Sequence, residues 1–253
     1  MNRLLAGSDY SLLSQSSAAC AERPAARGGA RMTQAQCVLA PLHYEPNYAY
    51  PLVVWLHGSG GDERELKRVM PLISLRNYVS VAAAGPTKAS HGYDWPQTEE
   101  GIQAASARVD EAVAQACQRF HVNSERVFLA GYGSGGTMAV RLALRQPGCF
   151  AGAASLGGAF PKGHAPLSQL AKARQVPLLI AHSRDSQTYR VEYLCQELAL
   201  FHAAGMRITL RQYPCGDELT TQMLHDANAW LMEQVTGIPV EEQEGTPLPS
   251  DWN

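Results

Sequence analysis

The chain reads as one α/β domain with a mostly parallel central sheet flanked by helices on both faces, and three observations predict this. Short, near-continuous apolar runs alternate with helical patterns from Cys37 onward. The runs lack the in-out alternation of a sheet with one wet face, so they are strands buried on both sides. Two glycine-rich turns each follow such a run directly, and the second opens a helical pattern.

Taken in order, the strands are predicted at 52–56, 78–83, 127–130, 152–155, 178–181 and 208–213, with 36–42 as an antiparallel first strand. Ile102, Ala105, Val109, Val113, Ala116 and Phe120 recur at spacings of three and four and mark one face of a long helix. Leu219, Met223, Ala227, Trp230 and Leu231 do the same near the end, with Asp217 as the expected N-cap of a helix over 218–234. Further helices are predicted over 65–75, 137–145 and 189–204. Residues 1–31 read as a disordered extension, 32–235 as the folded domain and 236–253 as a flexible tail. Patterned sequence begins just after Met32, which makes that residue a candidate start alongside Met1.

Composition narrows the function classes. With 45% hydrophobic and 17% charged positions, and 21 Lys+Arg against 23 Asp+Glu, the chain carries a formal charge of −2 and no basic cluster. A phosphate backbone or an anionic membrane surface has nothing to bind, so neither nucleic acid nor membrane is an expected partner. No apolar run approaches the roughly 20 residues of a spanning helix, and the leading segment lacks the apolar stretch of a signal peptide, so a cytoplasmic location is expected. Six cysteines are scattered without a CxxC or a histidine at ligand spacing, so no metal and no cofactor is expected.

The chemistry is concentrated in the two turns. His57-Gly58-Ser59-Gly60-Gly61 follows the strand 52–56, and Gly131-Tyr132-Gly133-Ser134-Gly135-Gly136 follows the strand 127–130. A tight strand-turn-helix with small flanking residues is the geometry of a nucleophile elbow, and a glycine-rich loop after an earlier strand supplies backbone N–H groups for an oxyanion hole. A phosphate loop is disfavoured, because its Lys-Ser/Thr pair is absent and the spacing is not GxGxxG.

With these turns, and with the stretches VVWLHGSGGDE (53–63), ERVFLAGYGSGGTMAVRLAL (125–144), PLLIAHSRDS (177–186) and YPCGDEL (213–219), the sequence resembles the α/β-hydrolase superfamily. The resemblance is to the phospholipase/carboxylesterase group and its polyhydroxybutyrate-depolymerase-like esterase relatives. It implies the α/β-hydrolase fold, a serine nucleophile on the elbow, a late histidine base and an aspartate that orients it. It also implies a small ester or acyl compound as ligand. The residue-by-residue carry-over puts Gly133 at the nucleophile position and Asp217 at the base position, with Asp185 near the acid position. Ser134 lies one residue past the nucleophile position. His225 lies eight residues beyond Asp217, about 12 Å along a helix at about 1.5 Å per residue.

Two readings follow. In one, the ester-hydrolysing machinery is degraded and a ligand pocket remains, with His57, Gly58, Ser59, Gly60, Tyr132 and Trp95 forming the oxyanion loop and cleft. The N–H groups of Ser59 and Ser134 make its oxyanion hole. In the other, the chain is an active serine esterase, with Ser134 as nucleophile served by His57, His182 or Asp217. Each candidate also has a plain structural role: Ser134 as a helix-capping residue, His57 as a brace of its own loop, His182 as packing, Trp95 as rim or underlying support. If Asp185 and Asp217 converge, two carboxylates share one site, and one has a raised pKa or binds a cation.

Overall fold

The structure, a computed structural model, describes residues 36–238. The expected extension at 1–31, with Met32, lies outside them, as does most of the expected tail; Thr236 instead ends the last helix and Gly237 caps it. Among the described residues no helix is long and apolar enough to cross a membrane.

In chain order the elements are β1 (Gln36–Leu39), β2 (Tyr50–Leu56), a 3-10 turn (Glu63–Glu65), α1 (Leu66–Ile73), β3 (Val79–Ala83), β4 (Thr87–Lys88) and β5 (Tyr93–Asp94). There follow α2 (Glu99–Arg119), β6 (Val122–Tyr132), α3 (Ser134–Arg145), β7 (Gly152–Leu156) and α4 (Leu170–Ala173). The last are β8 (Leu178–Ser183), α5 (Val191–Ala204), β9 (Ile208–Tyr213) and α6 (Thr221–Thr236). Seven strands form one sheet in the order β1-β3-β2-β6-β7-β8-β9, parallel throughout except for β1 against β3. The small hairpin β4–β5 and the short α4 carry no periodic signal and are additions to the predicted set.

Burial follows the pleat. Every residue of β2, β3, β7 and β8 is buried. On β2, Leu52, Val54 and Leu56 face the core under α2, α3 and α5, while Val53 and Trp55 face the opposite core under α1 and α6. This two-residue alternation between two apolar layers explains why the run VVWL is continuous in sequence yet feeds two separate cores. The long helix starts where Thr98 accepts the Gly101 N–H at 3.2 Å, with Glu99 and Glu100 in its first turn, where acidic residues complement the helix dipole.

Two boundaries differ from expectation. The elbow helix α3 begins at Ser134, three residues before the predicted start. The last helix begins at Thr221, with Thr220 Oγ1 accepting the Met223 N–H at 3.2 Å, so Thr220 and not Asp217 is its N-cap. Residues 217–220 stay outside the helix because the Asp217 carboxylate is engaged elsewhere, as described below.

The start of α3 packs so closely on the end of β2 that a Cβ at Gly135 would come within 2.2 Å of the Leu56 carbonyl oxygen. Gly135→Ala is therefore expected to force α3 off the sheet and cost about 1–3 kcal/mol, seen as a lower urea midpoint at unchanged slope. An unchanged midpoint would show that the helix can withdraw freely.

Candidate functional site

Parallel pairing of β2 with β6 sets Leu56 opposite Gly131, so the two glycine-rich turns leave the sheet side by side. Gly133 is the pivot between β6 and α3. Its backbone lies at φ 52°, ψ −120°, a left-handed conformation that costs a non-glycine residue on the order of 1–3 kcal/mol. A Cβ at this position would meet no atom within 4 Å, so the turn presents a bare α-carbon to open space. Its N–H donates to the Leu156 carbonyl at 2.9 Å and its carbonyl accepts from Thr137 N–H at 3.0 Å, which fixes the bend from both sides.

Ser134 is the first residue of α3 and makes no capping hydrogen bond. Its Oγ is buried and has no hydrogen-bond partner. The reading of Ser134 as a side-chain cap is thus corrected: Gly133 holds the N-cap position, and the serine hydroxyl is turned into the protein.

The first turn is held from beneath. His57 is fully buried; the Gly85 N–H donates to Nε2 at 2.9 Å, which leaves the proton on Nδ1, 2.7 Å from the Gly58 carbonyl. Both ring nitrogens are committed to backbone. Trp95, 3% exposed, stacks obliquely on His57 at 5.1 Å between centroids and donates from Nε1 to the His57 carbonyl at 3.0 Å. Of its two sequence readings, it therefore takes the one beneath the loop. Glu65 accepts from Trp55 Nε1 at 2.8 Å, and β5 bonds the loop through Gly60 N–H to Tyr93 O at 3.1 Å and Tyr93 N–H to Gly61 O at 2.8 Å. Ser59, by contrast, is exposed, and among the described residues neither its N–H nor that of Ser134 donates to a backbone acceptor.

Tyr132 joins this edge to the loop after β9. Its ring lies so close over Gly58 that a Cβ there would be 2.9 Å from Cδ1, and its hydroxyl donates to the Asp217 carbonyl oxygen at 2.6 Å. The Asp217 side chain points to the loop after β8. Oδ1 accepts from Ser186 Oγ, and Oδ2 accepts from Gln187 N–H at 3.0 Å and from Thr188 N–H and Oγ1, both at 3.2 Å. The Ser186 hydroxyl first, then these other donors, hold the Asp217 carboxyl below the usual range against a smaller opposing effect of burial.

Asp185 takes no part in this contact. Its backbone N–H reaches the Cys215 carbonyl at 3.0 Å, and its carboxylate is 3.4 Å from exposed Arg184 Nε. The conditional pairing of Asp185 with Asp217 does not occur: the Asp217 oxygens are filled by three successive residues of the facing loop, and the Asp185 carboxylate faces Arg184 instead. Among the described residues no group of three or more His, Cys, Asp or Glu could hold a metal ion. His182 is fully buried, with Nε2 at 2.8 Å from the Tyr189 carbonyl and Nδ1 at 3.4 Å from Gln212 Nε2. His225 is exposed on α6.

Sequence reasoning missed Ser186, Gln187 and Thr188 as the partners of Asp217, and Glu65 and Gly85 as braces of the first turn. A serine one residue after Asp185 gives no local signal; only the facing loop reveals its role.

The sheet order, the strand-turn-helix at Gly133 and the loops gathered at one sheet edge are those of an α/β-hydrolase fold. The family model for phospholipase/carboxylesterase matches residues 46–234, and the chain belongs to that family. It is 23% identical over 216 residues to a probable carboxylesterase, SOBER1-like, of Arabidopsis thaliana, a match that covers 77% of this chain and 82% of that one. It is 31% identical over 137 residues to NocK of Nocardia uniformis subsp. tsuyamanensis, an esterase by name, covering 51% of this chain and 38% of that one. The carboxylesterase crystal structure from Bacillus cereus superposes with a TM-score of 0.65 at 16% identity, covering 80% of this chain and 95% of that one.

Two outcomes test this geometry. Ser186→Ala removes the leading donor, so the Asp217 carboxyl titration followed by carbon NMR moves upward. In the native chain the bonds to Asp217 stabilise the fold above the unfolded carboxyl pKa, and that stability is lost as pH falls through the depressed folded value. Ser134→Ala removes a buried hydroxyl without a partner, and is expected to leave stability unchanged or raise it by up to about 1 kcal/mol. A marked loss would mean that the hydroxyl has a partner.

Proposed function

We propose that the chain is a disarmed carboxylesterase relative that binds a small ester or acyl ligand at the elbow without hydrolysing it. The observation that carries this reading is Gly133: the elbow keeps the strained bend and the open space in front of it, and the attacking side chain is absent.

Three further features support it. In the fold's triad the order along the chain is nucleophile, acid, base, and the base imidazole donates N–H to the acid. Here the contact between the loops after β8 and β9 survives with its polarity reversed: the later loop carries the carboxylate of Asp217, and the earlier one donates from Ser186. A carboxylate held anionic by four donors is a poor acceptor for an alcohol proton. Both nitrogens of His57 and of His182 are already engaged, so neither imidazole is free to serve as base. The N–H groups of Ser59 and Ser134, at the ends of adjacent strands, are suited to donate to a carbonyl oxygen.

The buried, unpartnered hydroxyl of Ser134 argues against the reading in which Ser134 is the nucleophile. The test uses the whole chain with a fluorophosphonate probe and with p-nitrophenyl butyrate. No covalent labelling is expected, and ester turnover no more than about 10³–10⁴-fold above water, the level left by binding and oxyanion contacts alone. Labelling that disappears in Ser134→Ala would overturn the proposal. The combined replacement Gly133→Ser, Ser186→Asp and Asp217→His is expected to gain probe labelling at position 133. A folded triple variant that stays unlabelled would show that the cleft has drifted from the esterase geometry.

A further inference from the structure

The outer face of α1 carries charge and apolar surface together. Leu66, Val69, Met70 and Ile73 belong to the core shared with α6 and one face of the sheet. On the opposite side of the helix Lys67, Arg68, Pro71 and Leu72 recur at spacings of three and four, and all four are exposed. Arg64 precedes them in the 3-10 turn, and Leu75 and Arg76 follow the helix, again exposed. Leu72 is 41% exposed, Leu75 49%, and Leu42, whose N–H donates to the Leu75 carbonyl at 2.7 Å, 50%. Arg76 apart, the face is apolar toward the end of α1 and basic toward its start.

No carboxylate answers these cations. Glu63 is buried, Glu65 accepts from Trp55 Nε1 beneath the first turn, and Asp62 accepts from the Arg64 N–H at 2.9 Å as cap of the 3-10 turn. Among the described residues none of Arg64, Lys67, Arg68 and Arg76 forms an ion pair.

The end of α6 delivers the chain to this face. Asn77 Nδ2 donates to Met232 Sδ at 3.4 Å and the Tyr78 hydroxyl to Asn228 Oδ1 at 3.0 Å, so the last turns of α6 lie against the residues that follow α1. The helix ends at Thr236, and Ile238, two residues on, is 69% exposed. The sequence continues Pro239-Val240-Glu241-Glu242-Gln243-Glu244, and residues 239–253 hold the acids Glu241, Glu242, Glu244 and Asp251 but no lysine or arginine. Apolar residues come first and acids after, which is the order in which α1 presents Leu75 and Leu72 and then Arg68, Lys67 and Arg64. Residues 238–244 reach about 23 Å when extended, against roughly 12 Å for the length of α1.

We propose that the acidic segment 239–244 docks along the outer face of α1, with Ile238 and Val240 against Leu75 and Leu72 and the glutamates against Arg68, Lys67 and Arg64. Single exposed ion pairs are weak. A tether of a few residues holds the local concentration at about millimolar, so several weak contacts together suffice, and the dock loosens as salt screens the charges. The same contact withholds the basic face from outside anions.

The test uses the full chain. A carbodiimide, which joins a carboxylate directly to an amine, is expected to couple Glu241, Glu242 or Glu244 to Lys67 within one chain, in preference to Lys88, Lys162 and Lys172, as mapped by peptide mass. Cleavage after Glu244 by glutamyl endopeptidase gives a second readout, each rate being taken relative to the matching synthetic 236–253 peptide. That rate is expected to rise about threefold or more in Lys67→Glu with Arg68→Glu, and likewise for the native chain in about 0.5 M NaCl. Adding Glu241→Lys and Glu242→Lys to the α1 variant is expected to restore the slow rate. If the α1 variant does not fold, Glu241→Lys with Glu242→Lys alone is expected to speed cleavage by the same factor. Even coupling over the four lysines, coupling only between two copies, rates indifferent to charge reversal, or tight binding of the native chain to phosphatidylglycerol vesicles, which would give the face to lipid, would each overturn the proposal. None of the replaced residues lies at either glycine-rich turn, so failure here leaves the reading of the elbow untouched.

Discussion

The parallel pairing of β2 with β6, with Leu56 set against Gly131, is the constraint on which the arrangement at the sheet edge depends. Both strands are buried on two faces over the paired stretch, so a slip of one residue would exchange Leu52, Val54 and Leu56 with Val53 and Trp55 between the two cores. The hydrophobic layers thereby fix the register. The register in turn places the turn after β2 against the turn after β6, close enough that only glycine fits at position 135. The position of the elbow is a consequence of core packing and not of any interaction within the turn itself.

From that edge outward, control passes from apolar burial to hydrogen bonds. His57, Trp95 and Glu65 support the first turn from below, and Tyr132 reaches from the elbow to the backbone of Asp217. Asp217 then gathers the loop after β8 through Ser186, Gln187 and Thr188. Tyr189 continues the same chain: its N–H donates to Ser186 Oγ at 2.8 Å and its hydroxyl to Glu197. The elbow and Glu197 on α5 thus belong to one connected polar network within an otherwise apolar interior. Such networks are costly when incomplete, and Glu197 Oε1 is one buried atom of it left without a partner among the described residues.

Much of this was legible in the sequence, for reasons that can be stated residue by residue. Strands such as 52–56 and 178–181 were visible because burial on both faces writes a continuous apolar run. Gly133 could be placed because Gly131, Gly135 and Gly136 bracket it with a spacing that only a sharp strand-to-helix bend requires. The start of the last helix was misplaced because Asp217 and Thr220 are both good caps, and only the facing loop shows that the Asp217 oxygens are taken. Asp185 drew attention as the acidic residue in its loop, yet the contact falls to Ser186, since one step along the loop reverses which side chain faces Asp217. The contact of Glu197 with Tyr189 and Phe160 has no signature in the sequence, because the three residues come from separate segments and meet only in the fold.

The commitment of both His57 nitrogens to Gly58 and Gly85 bears on how a guest would meet the first turn. A loop whose imidazole is clamped at each end, seated on Trp95 and stitched to β5, has lost its conformational freedom during folding. On the proposed binding role, a carbonyl at Ser59 would encounter a donor already in place, and association would forfeit little entropy in ordering the receptor. Under that proposal, the turn would favour a guest that matches a fixed mould over one that must reshape it.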